Sequence, residues 1–121
     1  MTILIIEDDA QCRKMLKETI EAYGCEVDAP ETLDDALRIL TLGHVDAVLC
    51  DGLGGLWLRP FTEAVKLGKA FVLLSGEGRQ IEAARNLGVR AYLKPHSIRE
   101  ILGELGCTSP AEPIADATGE P

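Results

Sequence analysis

The sequence predicts an α/β fold in which a parallel five-stranded sheet is covered by helices on both faces. Two observations lead to this prediction. Short apolar runs that end abruptly in a polar residue recur along the chain, which is the pattern of strands buried in a parallel sheet. Segments with apolar residues at helical spacing separate these runs, so that strand and helix alternate five times. A chain of 121 residues suits one such domain.

The first three elements follow directly from the pattern. Residues 2–6 form an apolar run and predict the first strand. Residues 10–23 carry their apolar side chains on one helical stripe, and Gly24 ends this helix, as glycine often does. Residues 25–29 predict a shorter and weaker strand that Pro30 stops.

The middle of the chain contains a second helix and the central strand. Thr32 and Asp35 have the spacing of a capping box and predict the start of the helix, which Gly43 ends. Residues 47–50 predict the third strand. The glycine-rich residues 52–59 predict an irregular loop, in which we expect Trp57 to be exposed or half-buried.

The rest of the chain repeats the alternation. Pro60 suits the first turn of a short helix. Ser97 and Glu100 form a second capping box that opens the last helix, which Gly106 ends. In order, these predicted elements are a helix at 60–67, a strand at 70–74, a helix at 79–87, a strand at 89–93 and the final helix.

The composition changes near the end of the chain. Residues 107–121 include three prolines together with small and acidic residues, and offer little to bury. The prediction is therefore a domain at residues 1–106 followed by a flexible tail at residues 107–121.

Charge and hydropathy exclude several classes of function. The net charge of −8 disfavours nucleic acid and anionic membrane surfaces as partners, because both attract basic proteins. No apolar run reaches the length of about 18 residues that a membrane span needs. Met1 leads directly into a strand without a signal segment, so a cytoplasmic location is predicted.

The cysteines predict no metal site. They are far apart and form no C-x-x-C pair, so neither a zinc site nor a disulfide framework is indicated. We expect four reduced structural thiols, because free cysteine commonly behaves as a small buried apolar residue. These cysteines are Cys12, Cys25, Cys50 and Cys107.

Polar side chains follow four of the five predicted strands at the point where each strand ends. Glu7 and Asp8 follow the first strand, Asp51 the third, Ser75 the fourth and Lys94 the fifth. Ligands of open parallel sheets bind outside the carboxyl ends of the strands. We therefore expect these side chains to meet around Asp51.

This set of side chains permits phosphoryl transfer. Carboxylates that share a crevice repel each other unless they hold a cation, and oxygen ligands with few carboxylates suit Mg²⁺. A carboxylate can attack phosphorus and form an aspartyl phosphate. Lys94 can supply positive charge and Ser75 a hydroxyl donor, which is the kind of help that phosphoryl transfer needs.

Four segments carry a resemblance to a known family. They are Ile3-Leu4-Ile5-Ile6-Glu7-Asp8-Asp9, Val48-Leu49-Cys50-Asp51, Leu73-Leu74-Ser75-Gly76 and Tyr92-Leu93-Lys94-Pro95. Each is weak alone, but four in this order, each at a strand end, resemble the receiver domain of two-component response regulators over residues 2–105. The resemblance implies a flavodoxin-like (βα)5 doubly wound sheet with strand order 2-1-3-4-5.

The resemblance also implies roles for the site residues. Asp51 is similar to the phosphoacceptor and also to a metal ligand, and Asp8 is similar to a direct metal ligand. Glu7 would hold the metal through water, and the backbone carbonyl of Leu53 would complete the protein ligands. The remaining implied roles are a switch hydroxyl for Ser75, a phosphoryl-pairing lysine for Lys94, and a peptide before Pro95 that is often cis in the family.

The sequence departs from the family pattern in ways that concern the switch. The proline usual after the phosphoacceptor is missing. The stretches from Asp51 to Ser75 and from Ser75 to Lys94 are short, so helices 3 and 4 should be shortened. Ala91 stands where the family usually has an aromatic residue, and Tyr92 follows one position later. We expect Ser75 and Tyr92 to act as the switch residues.

These residues are compatible with three functions to different degrees. The favoured one is a stand-alone receiver that takes phosphate from a histidine kinase or a histidine phosphotransfer protein, or relays it within a phosphorelay. It would signal to a downstream protein partner, as a monomer or weak dimer. The resemblance implies a switch rather than an enzyme, although it would promote its own phosphoryl transfer and dephosphorylation. The alternative is a pseudo-receiver, a phosphate-independent protein-interaction module. A phosphatase-like enzyme is disfavoured because Gly52 and Leu53 supply no second carboxylate.

Overall fold

Five strands and five α-helices alternate along residues 1–106, the part of the chain that this computed structural model describes. The predicted tail at residues 107–121 lies outside the described residues. Within residues 1–106, none of the helices combines the length and the apolar character that a membrane span requires. The strands are β1 (Thr2–Ile6), β2 (Glu26–Asp28), β3 (Ala47–Cys50), β4 (Ala70–Ser75) and β5 (Arg90–Leu93). The helices are α1 (Ala10–Ala22), α2 (Leu33–Leu42), α3 (Leu58–Lys66), α4 (Gly78–Asn86) and α5 (Ile98–Glu104).

The strands form one parallel sheet in the order β2-β1-β3-β4-β5. This confirms the predicted flavodoxin-like doubly wound fold. The chain first adds β2 on one side of β1 and then β3 on the other. The strand order therefore reverses between β1 and β3, and the crevice outside their carboxyl ends is where such sheets bind ligands.

Alternating side chains of the strands build two apolar cores, one on each face of the sheet. In β1, Ile3 and Ile5 face one core while Leu4 and Ile6 face the other. Helices α1 and α5 cover the first core, and α2, α3 and α4 cover the second. The buried helix residues are Leu16, Ile20, Ile101 and Leu102 in the first core, and Ala36, Leu40, Ala64, Ile81 and Ala84 in the second.

The two predicted capping boxes begin helices at the expected residues. The Thr32 hydroxyl accepts a hydrogen bond from the Asp35 N–H at 3.1 Å, and the Ser97 hydroxyl accepts one from the Glu100 N–H at 3.2 Å. Each bond satisfies an N–H that has no partner inside the helix. Gly43 ends α2 with φ of +81°, a conformation that glycine adopts readily.

The prediction of an exposed or half-buried Trp57 was wrong. Trp57 is 3% exposed and lies just before α3, which starts at Leu58 rather than at Pro60. Its ring lies 6.1 Å from that of Phe61, which in turn contacts Phe71. This aromatic cluster fills the space beneath helix α3, which has nine residues, as does α4.

The prediction of four reduced thiols was also wrong, at one position. Cys12 and Cys50 carry free thiols, whereas the buried Cys25 is disulfide-bonded. Cys107 lies outside the described residues. Sequence spacing could not show this bond, because a disulfide depends on the approach of two residues in space.

Candidate functional site

The sheet places the predicted site residues at one edge. The Asp51 N–H donates to the Ile6 carbonyl at 2.8 Å, so Asp51 continues β3 beside the end of β1. The Lys94 N–H donates to the Ser75 carbonyl at 2.8 Å, so Lys94 continues β5 beside the end of β4. The peptide between Lys94 and Pro95 is cis, as the family resemblance implied.

Three carboxylates form an acidic cluster at this edge. Glu7, Asp8 and Asp51 each place an oxygen within 4.8 Å of the other two. Glu7 is buried, Asp51 is half-buried and Asp8 is exposed. Among residues 1–106 the Asp8 carboxylate has no hydrogen-bond or ion-pair partner. Hard oxygen ligands at this spacing fit Mg²⁺, which takes one or two carboxylates and keeps several waters.

Lys94 bridges two of these carboxylates. Its ammonium donates to Glu7 Oε1 at 2.9 Å and to Asp51 Oδ1 at 2.8 Å. Burial by itself lowers the pKa of Lys94, but the hydrogen bonds to Asp51 and Glu7 outweigh it and leave the pKa above its ordinary value. Lys94 is therefore charged at neutral pH. One ammonium does not neutralise three carboxylates, so the cluster still favours a cation.

The loop after β3 holds the second oxygen of Asp51. The Leu53 N–H donates to Asp51 Oδ2 at 2.9 Å. Leu53 adopts a φ of +53°, which is unusual for a residue other than glycine. Its carbonyl, which the resemblance implied as a metal ligand, accepts the Leu56 N–H at 3.1 Å. A carbonyl oxygen has two lone pairs, so this bond leaves one for another partner.

Ser75 is buried, and its hydroxyl already has two partners. It donates to Gln80 Oε1 at 2.5 Å and accepts the Glu77 N–H at 3.1 Å. Sequence reasoning missed Gln80. It lies in the first turn of α4, and no motif in the sequence marked it.

The structure does not bring Tyr92 and Ser75 together. Tyr92 pairs with Leu74, and both pack against the core under α1 and α5. The Ser75 hydroxyl instead points to the opposite face of the sheet, where Gln80 of α4 lies. On that face the Arg85 side chain donates two hydrogen bonds to the Ala91 carbonyl, at 3.0 and 2.7 Å. Arg85 thus ties α4 to β5 where the family usually has an aromatic residue.

The Tyr92 hydroxyl donates to the Glu104 carboxylate. This hydrogen bond raises the pKa of Tyr92 above its ordinary value of 10.0. The resulting stabilisation is present below the pKa of the unfolded chain and is lost as pH rises through the folded pKa.

Glu104→Gln should therefore lower the pKa of Tyr92, as measured by tyrosinate absorbance in a Tyr23→Phe background. An unchanged titration curve would show that Glu104 does not control this group.

Comparison with curated proteins identifies a relative that is similar in sequence. No protein-family model matches the chain. The phosphate regulon transcriptional regulatory protein PhoB of Pseudomonas aeruginosa is 27% identical over an alignment 118 positions long, and the alignment covers 86% of this chain and 49% of the relative. The chain therefore spans about half the length of this curated relative.

Solved structures of receiver domains share the fold. A response regulator receiver domain protein from Clostridium thermocellum has a TM-score of 0.71 at 24% identity, over 87% of this chain and 90% of that one. TrrA from Thermotoga maritima, a response regulator solved in complex with Mg²⁺-BeF, has a TM-score of 0.67 at 24% identity, over 85% and 93%. An atypical orphan response regulator has a TM-score of 0.69 at 17% identity, over 87% and 92%. The resemblance first indicated by the four strand-end motifs is thus confirmed, and the chain has the fold of response-regulator receiver domains.

Proposed function

We propose that the protein is a phosphorylation-dependent signalling switch that accepts a phosphoryl group on Asp51, with Mg²⁺ as its cofactor. One observation carries the proposal. The Asp51 carboxylate lies at the edge of the sheet with Lys94 at 2.8 Å, in a cluster with Glu7 and Asp8. In the proposed function this arrangement would supply a nucleophile, a fixed positive charge and ligands for a cation.

The chemistry would proceed on the Asp51 carboxylate. One of its oxygens attacks the phosphorus of a phosphohistidine on the donor protein, a phosphorus–oxygen bond forms, and the phosphorus–nitrogen bond breaks. Lys94 and the Leu53 N–H hold the carboxylate before transfer. Lys94 and the Ser75 hydroxyl would bind oxygens of the transferred group afterwards.

Four groups would hold the cofactor. They are the Asp8 and Asp51 carboxylates, Glu7 through water, and the Leu53 carbonyl. Bound there, Mg²⁺ would supply positive charge that offsets the carboxylates and the phosphoryl oxygens. The Mg²⁺-BeF complex of TrrA, a protein of the same fold, supports this assignment.

The partners would be proteins. A histidine kinase or a histidine phosphotransfer protein would supply the phosphoryl group, and a downstream protein would read the phosphorylated state. A nucleic-acid partner for this segment is disfavoured by the net charge of −8. We propose a monomer or weak dimer.

The direct test is the intact mass of the wild-type protein after incubation with acetyl phosphate and Mg²⁺. We expect a single phosphoryl adduct, and no adduct when Mg²⁺ is removed with a chelator. A protein that stays unmodified under conditions that label a known receiver would contradict the proposed function.

The alternative function is a pseudo-receiver that acts without phosphate. One observation favours it. The structure of the atypical orphan response regulator of the same fold is described as revealing a phosphorylation-independent regulatory mechanism. The mass experiment distinguishes the two functions, because a pseudo-receiver would remain unmodified with its site residues intact.

A further inference from the structure

We propose that Gln80 is a positioning residue that holds the Ser75 hydroxyl in a resting orientation and releases it when a phosphoryl group forms on Asp51. This inference rests on the proposed function and adds a residue to the site. In this proposal, the side chain of Gln80 in α4 makes the contact that opposes phosphorylation.

The hydrogen bond between the two side chains is the first observation. Ser75 Oγ donates its proton to Gln80 Oε1 at 2.5 Å, and Ser75 is only 2% exposed. A hydroxyl has one proton to donate. While Gln80 accepts that proton, Ser75 cannot donate it to a phosphoryl oxygen, so the two acceptors compete.

The packing of Gln80 against Gly52 is the second observation. Gly52 is buried and has a φ of −65° and a ψ of −27°, which any residue can adopt. A β-carbon at this position would lie 1.7 Å from Gln80 Oε1 and 2.9 Å from Ser75 Oγ. The Gln80 amide therefore occupies the space that a side chain at position 52 would need, whereas the backbone conformation of Gly52 does not call for glycine. Because Gly52 has no side chain, the Gln80 amide can pack directly against Gly52, next to Asp51.

The position of Gln80 on α4 links its contact with Ser75 to the first turn of this helix. Gln80 lies in the first turn of the helix, and Glu77, which precedes it, also bonds to Ser75 through its N–H. Arg85, more than one turn later, holds the helix to the Ala91 carbonyl. Release of Gln80 would free the first turn while Arg85 keeps the second turn in place. The surface that reports phosphorylation would then lie at residues 76–81.

The kinetic test measures the rate at which acetyl phosphate and Mg²⁺ label the protein. Gln80→Leu removes the acceptor at similar size and should raise the rate about fivefold, the factor that a hydrogen bond of ordinary net strength represents. Asn86→Ala, which removes an exposed amide from the same helix, is the matched control and should leave the rate unchanged.

The Ser75→Ala variant distinguishes a positioning role of Gln80 from a structural one. In Ser75→Ala the hydroxyl is gone, so adding Gln80→Leu should produce no further change in the labelling rate. A structural or electrostatic role of Gln80 would persist without the hydroxyl. Equal acceleration in the two backgrounds, or no acceleration by Gln80→Leu in the wild type, would overturn the proposal.

A measurement without phosphate keeps this proposal distinct from the proposed function. Gln11 and Gln80 are the only glutamines of the chain, so their side-chain amide resonances are readily told apart. Ser75→Ala should shift the Gln80 amide resonances and leave those of Gln11 in place. If the wild type takes no phosphate, the proposed function fails, and this spectrum still decides whether Gln80 holds Ser75. Unshifted Gln80 resonances would exclude the contact.

Discussion

Asp51→Asn should abolish the phosphoryl adduct formed with acetyl phosphate and Mg²⁺ while the domain stays folded. An amide is not a nucleophile toward phosphorus, whereas the carboxylate it replaces can form an aspartyl phosphate. The variant also loses one negative charge from a cluster of three carboxylates. It should therefore bind Mg²⁺ more weakly as well.

The fold should tolerate this change because asparagine has nearly the same shape as aspartate. Lys94 keeps its hydrogen bond to Glu7 at 2.9 Å. The asparagine oxygen can still accept one of the two bonds that now come from Lys94 and the Leu53 N–H. Fewer carboxylates also repel each other less. We expect the melting temperature to change by no more than a few degrees.

Asp9→Asn is the matched control for this experiment. The Asp9 side chain caps α1 by accepting the N–H groups of Gln11 and Cys12. Asparagine is an equally good cap, and the variant removes the same charge from a position next to the site. It should be labelled like the wild type. If Asp51→Asn were labelled to full stoichiometry, the phosphoacceptor would be another residue.

The positions of the site residues could be predicted from the sequence because they depend on local patterns. Each buried strand is an apolar run that must end where the chain leaves the sheet, so Asp51 after β3 and Lys94 after β5 mark that edge. The capping boxes at Thr32 and Ser97 are equally local. The strand order followed from the family resemblance and not from the residues alone.

The surroundings of Ser75 could not be predicted because they depend on how α4 approaches the loop after β3. Gln80 reaches Ser75 only because Gly52 has no side chain, and no spacing in the sequence connects these three residues. The position of Tyr92 had a signal that was missed. Alternate residues of a strand face opposite sides of the sheet, so Tyr92 lies on the face opposite to Ala91.

No sequence motif predicts the burial of Trp57 or the backbone conformation of Leu53. Trp57 is buried in the core beneath α3, which begins before its proline and packs Phe61 beside the Trp57 ring. Leu53 takes a left-handed conformation so that its N–H meets Asp51 Oδ2. Both follow from how the glycine-rich loop folds against the domain, which single-residue preferences do not specify.

Asp8→Ala should weaken Mg²⁺ binding by about tenfold or more, since even ligands outside the inner shell change metal affinity by about that factor. Asp8 has no ion-pair partner within residues 1–106, whereas Glu7 and Asp51 already share Lys94. Its carboxylate is therefore the one that a cation can use without competing with an ammonium. Calorimetric titration with Mg²⁺ measures the affinity, and the fluorescence of Trp57, at the end of the loop that contains Leu53, gives a second signal.

Removal of a charge and removal of a ligand must be distinguished in this titration. Asp9→Asn removes one negative charge at the next residue without removing a proposed ligand, so it should weaken Mg²⁺ binding much less than Asp8→Ala does. Raising the ionic strength should shrink the effect of Asp9→Asn, because salt screens charges that do not touch the ion. The effect of Asp8→Ala should persist, because a lost inner-shell oxygen is not replaced by salt. Wild-type affinity in Asp8→Ala would exclude Asp8 as a ligand and place the cation on Glu7 and Asp51.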